Sequence, residues 1–211
     1  MKIAVIGARE LAANSGNTVT KIATKLGADL VKAGHKVVSG LAKGVDIAAM
    51  KGAGLENCIG VLATPVNVFY PPEHAEYQKK CGELIPFNQK IHKRNFILRD
   101  KTIAEISDAI IIVWTNDASG CEHVFERAMA RGKCVLIGSL LYAEAVSNPR
   151  HWLHKQLYYQ NIFSTHKACP NFVTGLDAFL TIVEERLIAK ELKGKNIEEI
   201  IARGEFVGVF E

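Results

Sequence analysis

The chain has 211 residues, 48% of them hydrophobic and 23% charged, with a formal net charge of +4. That length supports about one domain with a full-sized core, and the composition excludes a disordered tail, a collagen-like fibre and a disulfide-stapled miniature. No apolar run approaches the roughly 18 residues of a membrane span, since Ala109–Trp114 and Cys134–Leu141 are short and interrupted.

The elements follow in chain order. Met1–Gly7 starts like a signal peptide, but its apolar stretch ends at Arg9-Glu10, too soon for one, and the segment reads as the first strand of a cytoplasmic protein. Strands are predicted at Ile3–Gly7, Lys36–Gly40, Cys58–Ala63, Glu83–Phe87, Ala109–Trp114 and Lys133–Gly138. These are near-continuous apolar runs, the pattern of a parallel sheet covered on both faces. Thr18–Ala33 has Val19, Ile22, Ala23, Leu26, Leu30 and Val31 at helical spacing and is stopped by Gly34. Lys93–Ile106 and Glu122–Ala130 also read as helices. Strand–helix alternation of this kind predicts a doubly wound α/β fold, mostly parallel, with helices on both faces.

The last third is less regular. A short aromatic-bearing helix is expected at Pro149–Tyr159, a strand at Phe172–Thr174 and a helix from Leu176 to about Lys193, with an apolar terminus at Phe206–Phe210. Residues 141–211 are therefore expected to be a mainly helical extension packed on the same domain. Trp152, Tyr158 and Tyr159 read either as core residues or as stacking platforms for bases.

The five cysteines, Cys58, Cys81, Cys121, Cys134 and Cys169, include no C-x-x-C pair. They predict reduced core thiols and no metal site. Charge is concentrated: Lys90, Lys93, Arg94, Arg99 and Lys101 stand against Asp100 alone, as large an excess as the +4 of the whole chain. Such a segment is either a solvated helix face or an anion site.

In an open parallel sheet, ligands bind beyond the carboxyl ends of the strands, so the strand-to-helix turns hold the candidate residues. In the first turn, Gly7-Ala8-Arg9, Arg9 is placed to fork onto a phosphate. No G-x-G-x-x-G follows, so no dinucleotide cofactor is expected. In the second, Ser39-Gly40-Leu41-Ala42-Lys43-Gly44-Val45-Asp46, glycines allow close backbone approach and Lys43 supplies a point charge, without Walker A spacing. Asp46 reads as a helix cap or an orienter of Lys43. In the third, Ser119 and Gly120 form an anion nest before a helix. Cys121 at that helix start is a weak candidate for an acidified thiol, and His123 reads equally as a surface histidine.

These residues resemble the DNA-processing protein A (DprA/Smf) family over about residues 3–138. The resemblance rests on Gly7-Ala8-Arg9 (family G-S-R), on residues 39–46 (S-G-L-A-R-G-I-D), and on Gly60–Ala63 with Tyr70-Pro71. It extends through Arg94-Asn95 (R-N-R) and Ser119-Gly120 with Ala128 and Gly132-Lys133. It implies a Rossmann-like domain that binds single-stranded DNA through its phosphates, commonly as a homodimer, and hands the strand to a RecA-type recombinase in DNA uptake or repair. Carried over residue by residue, it nominates Gly7, Arg9, Ser39, Gly40, Lys43, Gly44, Arg94, Asn95, Ser119 and Gly120 as phosphate or DNA contacts. The chain departs from the family pattern at Met50, where the family has histidine, at Phe96, where it has arginine, and at Pro86-Phe87 and Glu122. The family's winged-helix domain is not expected.

A related branch, the LOG-like nucleotide phosphoribohydrolases, has P-G-G-x-G-T-x-x-E at the third turn. Here Thr115–His123 lacks the glycine pair and puts His123 at the glutamate position, with acids displaced to Glu122 and Glu126. Nucleotide N-glycosidase chemistry, with Glu122, Glu126 or Asp46 as its carboxylates, therefore ranks second, beside a sensor of a small nucleotide ligand. No catalytic residue, metal or membrane partner is expected.

Overall fold

The computed structural model describes residues 1–11, 16–87, 90–159, 176–177, 180–181, 183–184 and 207–210. Its elements are β1 (Lys2–Ile6), α1 (Gly16–Lys32), β2 (Lys36–Ser39), α2 (Val45–Ala53), β3 (Cys58–Val61), α3 (Ala75–Lys80) and β4 (Glu83–Ile85). They continue with α4 (Lys93–Ile106), β5 (Ala109–Ile112), α5 (Cys121–Met129), β6 (Cys134–Gly138), α6 (Ser139–Ser147), α7 (Trp152–Tyr159) and β7 (Val207–Phe210).

The seven strands among the described residues form one sheet in the order β4-β3-β2-β1-β5-β6-β7, and every neighbouring pair is parallel. The chain winds outward from β1 to β4, then crosses back and winds outward the other way from β5. This is the doubly wound α/β architecture predicted from the alternating elements.

Each strand predicted up to β6 is present, with its ends displaced by at most two residues. Most shortening is at the carboxyl ends, where the chain curls into loops that stay bonded across the sheet. Ala8 N–H, for example, donates to Trp114 O at 2.8 Å and Val113 N–H to Ile6 O at 3.1 Å. Helix α4 has the predicted bounds. Helix α6 follows β6 with no loop between them, so the apolar pattern offered no break to mark it.

The continuous apolar runs are divided residue by residue between two cores. Ile3, Val5, Val37, Ile111 and Leu136 face a layer built with α1 and α2. Ala4, Ile6, Val38, Ile110, Ile112, Val135 and Ile137 face a second layer built with α4, α5, α6 and α7. Side chains alternate across a strand, so a strand buried on both faces must be apolar throughout.

Trp152 belongs to the second core: it is 6% exposed, packs against Phe125 with ring centroids 5.7 Å apart, and donates from Nε1 to Thr115 Oγ1 at 3.0 Å. Beyond residue 140 the described chain holds α6 and α7 but also β7, a strand parallel to β6, at the terminus read only as apolar. Residues 176–177, 180–181 and 183–184 are helical, inside the helix predicted from Leu176. The strand predicted at Phe172–Thr174 and the side chains of Tyr158 and Tyr159 lie outside the described residues.

Candidate functional site

A pocket of about 330 Å³ opens at the carboxyl edge of the sheet, between β1 and β5, where the winding direction reverses. Ligands of doubly wound folds bind at this switch point because adjacent connections leave in opposite directions and part there. The first turn contributes Gly7, Ala8, Arg9 and Glu10 to its walls, α4 contributes Arg99 and Asp100, and the turn before α5 contributes Ser119 and Gly120.

The floor is a buried charge cluster. Arg99 and Asp100 are 7% and 6% exposed and Asp46 is 4% exposed. Arg99 donates to Asp100 Oδ1 from Nε at 3.0 Å and from Nη2 at 2.7 Å, and reaches Gly40 O from Nη1 at 3.4 Å. Asp46 accepts from Gly40 N–H at 3.1 Å. Burial raises the Asp46 carboxyl above the usual carboxylate range, while Arg99 and the hydrogen bond from Gly40 pull it back. One arginine thus serves two carboxyl groups, and the floor carries no surplus positive charge for an anion.

Local sequence explains how these groups meet. A Cβ on Gly40 would lie 2.8 Å from Arg99 Cζ, so the guanidinium enters only over a glycine. Gly44 has φ +76° and a Cβ there would lie 2.2 Å from Ala8 O; the residue both turns left-handed and lets the first two loops touch. Ser39, fully buried, donates to Val5 O at 2.7 Å, tying β2 to β1 beneath the pocket.

The predicted residues separate into three groups. Gly7, Arg9, Ser119 and Gly120 line the pocket. Ser39 and Gly40 lie beneath it as supports. Lys43, Gly44, Arg94 and Asn95 are not in its wall. Lys43 is exposed and paired with Glu73 of the β3–α3 loop; Asp46, read from sequence as a helix cap or the orienter of Lys43, accepts from Gly40 N–H instead. Asn95 is buried, and its amide donates to Ala63 O at 3.1 Å and Lys90 O at 2.9 Å.

The basic segment is also divided. Lys90, Lys93 and Arg94 are exposed around the N-terminus of α4, on the same edge as the pocket. Arg99 is internal, and Lys101 lies on the outer face of α4, about two turns beyond Lys93.

Cys121 is buried, and burial pushes its thiol up to about 12, the opposite of an activated nucleophile. Its N–H donates to Ser119 Oγ at 3.2 Å. Glu122 is half-buried, and Glu126 and His123 are exposed; none of the three is part of the pocket wall. Among the described residues no group of three or more His, Cys, Asp or Glu is arranged to hold a metal ion, and no helix is long and apolar enough to cross a membrane.

Sequence reasoning missed Arg99 and Asp100 as parts of the floor, because an adjacent Arg-Asp in a charged helix has the pattern of a solvated surface. It also missed Phe96 as a site residue. The Phe96 ring centroid lies 5.4 Å from Arg9 Cζ and 5.6 Å from Arg99 Cζ, so it stands beside the pocket wall.

Residues 1–165 match the model of the family described as DNA recombination-mediator protein A. The chain belongs to that family. Among its relatives, DNA processing protein DprA of Streptococcus pneumoniae is 34% identical over 152 residues, spanning 66% of this chain and 51% of that protein. The Bacillus subtilis DNA processing protein DprA is 30% identical over 142 residues, covering 63% of this chain and 46% of that one. The chain thus spans about half the length of these curated relatives.

Two solved structures share the fold. DNA processing protein A of Helicobacter pylori, described for its single-stranded DNA binding mode, aligns at TM-score 0.59 and 25% identity over 65% of each chain. The DprA structure of Streptococcus pneumoniae aligns at TM-score 0.57 and 30% identity, over 74% of this chain and 56% of that one.

Proposed function

We propose that this chain is the strand-holding part of a recombination mediator, binding single-stranded DNA by its phosphates along the carboxyl edge of the sheet. The observation that carries this reading is the placement of Arg9. Arg9 shares the pocket wall with Ser119 and Gly120, above a floor whose own charges are already compensated. A phosphate seated there meets Arg9 and the N-terminus of α5, whose amides and dipole favour an anion. Lys90, Lys93 and Arg94, exposed on the same edge, extend the positive track to neighbouring phosphates. A long polyanion gains from such a track because each neutralised phosphate releases a counterion.

The role is binding rather than catalysis. The two buried carboxyl groups of the pocket floor, Asp46 and Asp100, are engaged with Gly40 and Arg99, which leaves neither poised against a sugar; the third carboxyl of the lining, Glu10, stands on the exposed first turn. On the same reading the ligand is passed to a RecA-type recombinase, and the chain works as a homodimer. Its pocket volume, at the lower end of the range for small-molecule sites, keeps a mononucleotide as the competing ligand.

A salt-titrated binding assay with a labelled single-stranded oligonucleotide, using duplex DNA and mononucleotides as competitors, tests this. Affinity that falls steeply with salt and prefers the single strand is expected. Displacement by a mononucleotide at low concentration, without salt dependence, would overturn it.

A further inference from the structure

Phe96, in the first turn of α4, is half-buried and joins two pocket-wall residues to an exposed aromatic. Its ring meets Tyr70 edge-on, with centroids 5.3 Å apart and planes at 61°, and stands beside the guanidinium groups of Arg9 and Arg99. Tyr70 is 46% exposed. The row Arg9–Phe96–Tyr70 therefore starts in the pocket wall and runs out onto the surface. Val66, Val68 and Ile97, all exposed, lie near it in sequence on the same two segments.

An apolar, aromatic strip set in a cationic rim is not what a purely electrostatic grip on phosphate requires. An arginine or lysine at position 96 would serve phosphate better, and the family pattern has arginine there. Phe96 gives up that charge and instead holds Arg9 and Tyr70 in place. Each of these two presents a flat π or guanidinium surface of the kind on which nucleobases stack. Duplex DNA hides its base faces within its own stack, whereas a single strand offers them.

We infer that the row Arg9–Phe96–Tyr70 is a base-stacking shelf for the nucleotide next to the phosphate seated in the pocket, with Tyr70 and Arg9 touching the base and Phe96 positioning both. This rests on the proposed function and adds to it. The strand is recognised by its unstacked bases as well as by its charge, and that is what distinguishes it from duplex.

The test compares a labelled deoxyribo-oligonucleotide with an abasic strand carrying the same number of phosphates, at several salt concentrations, for the full chain and for Tyr70→Leu and Phe96→Leu. The unmodified chain should bind the base-bearing strand roughly tenfold more tightly. Each variant should lower that preference toward unity while leaving abasic-strand affinity and the salt slope in place.

Equal binding of both strands by the unmodified chain overturns the shelf and leaves the proposed function standing. So does a preference that survives in Tyr70→Leu. Failure to bind either strand overturns both together. Tyr70 is exposed, so Tyr70→Leu keeps the fold, which circular dichroism verifies, and it decides the question even if Phe96→Leu proves unstable.

Discussion

The two helical layers that cover the sheet are built on different chemistry. On the α1/α2 side the helices cross over small residues: a Cβ on Gly27 would lie 2.0 Å from Ala49 O, and one on Gly52 would lie 1.9 Å from Thr24 O. The buried residues of α1 are all apolar, and Asp46 is the single buried charge of α2, in its first turn at the pocket. On the α4/α5 side, α4 alone buries Asn95, Arg99 and Asp100. One layer closes the core by backbone contact, and the other keeps charge inside to shape a pocket. The charged layer accepts a desolvation cost that well-packed apolar residues avoid, and that cost falls at the edge where the pocket opens.

Breaking each layer should therefore produce a different failure. The largest effect is expected from Arg99→Met, which leaves Asp46 and Asp100 buried without their shared counter-charge. A loss of about 3–5 kcal/mol, read from urea unfolding, is the expected result; an unchanged midpoint would show that the floor does not depend on Arg99. On the opposite layer, Gly52→Val forces side-chain carbons into Thr24 O and should cost about 1–3 kcal/mol through separation of α1 from α2. Strand binding per folded molecule should be unchanged, because that helix face touches nothing at the pocket.

A subtler test sharpens the contrast through pH. Burial raises the Asp46 carboxyl, so the folded chain holds that proton to higher pH than the unfolded chain does. Its contribution to stability is full below the ordinary carboxylate value of about 4 and is lost as pH rises through the raised folded value. Asp46→Asn keeps an oxygen acceptor for Gly40 N–H and removes the titration. The stability difference, variant minus unmodified chain, should then grow in the variant's favour with rising pH across that window. A flat difference curve would place Asp46 in an ordinary environment.

The smallest structural effect belongs to Arg9→Ala. Arg9 is exposed, so the unfolding midpoint should stay in place while the slope of log affinity for single-stranded DNA against log salt falls by about 1. An unchanged slope would remove Arg9 from the phosphate contacts.

Much of this molecule was legible in the chain. The six continuous apolar runs became β1 to β6, and the helix predicted at Lys93–Ile106 is α4, because periodicity and glycine stops act over a few residues. The turns that carry the site were legible for the same reason: strand ends followed by glycine and a hydroxyl or a cation. What escaped was the partnering of the charges. Lys43 pairs with Glu73, and Arg99 turns inward to Asp100 and Gly40. The helical pattern of α4 says that Arg99 is charged, but not that a glycine 59 positions earlier leaves room for it.

The sequence by itself determined the fold class, the family and the edge of the sheet where the pocket opens, since each follows from local pattern and short motifs. Only the tertiary structure decided which of the nominated residues line the pocket, that its floor is internally neutralised, and that an aromatic row leads out of it. Those properties depend on distances between β1, the β2–α2 turn, the β3–α3 loop and α4. The parallel winding brings these segments together at one edge, and no local propensity encodes that proximity.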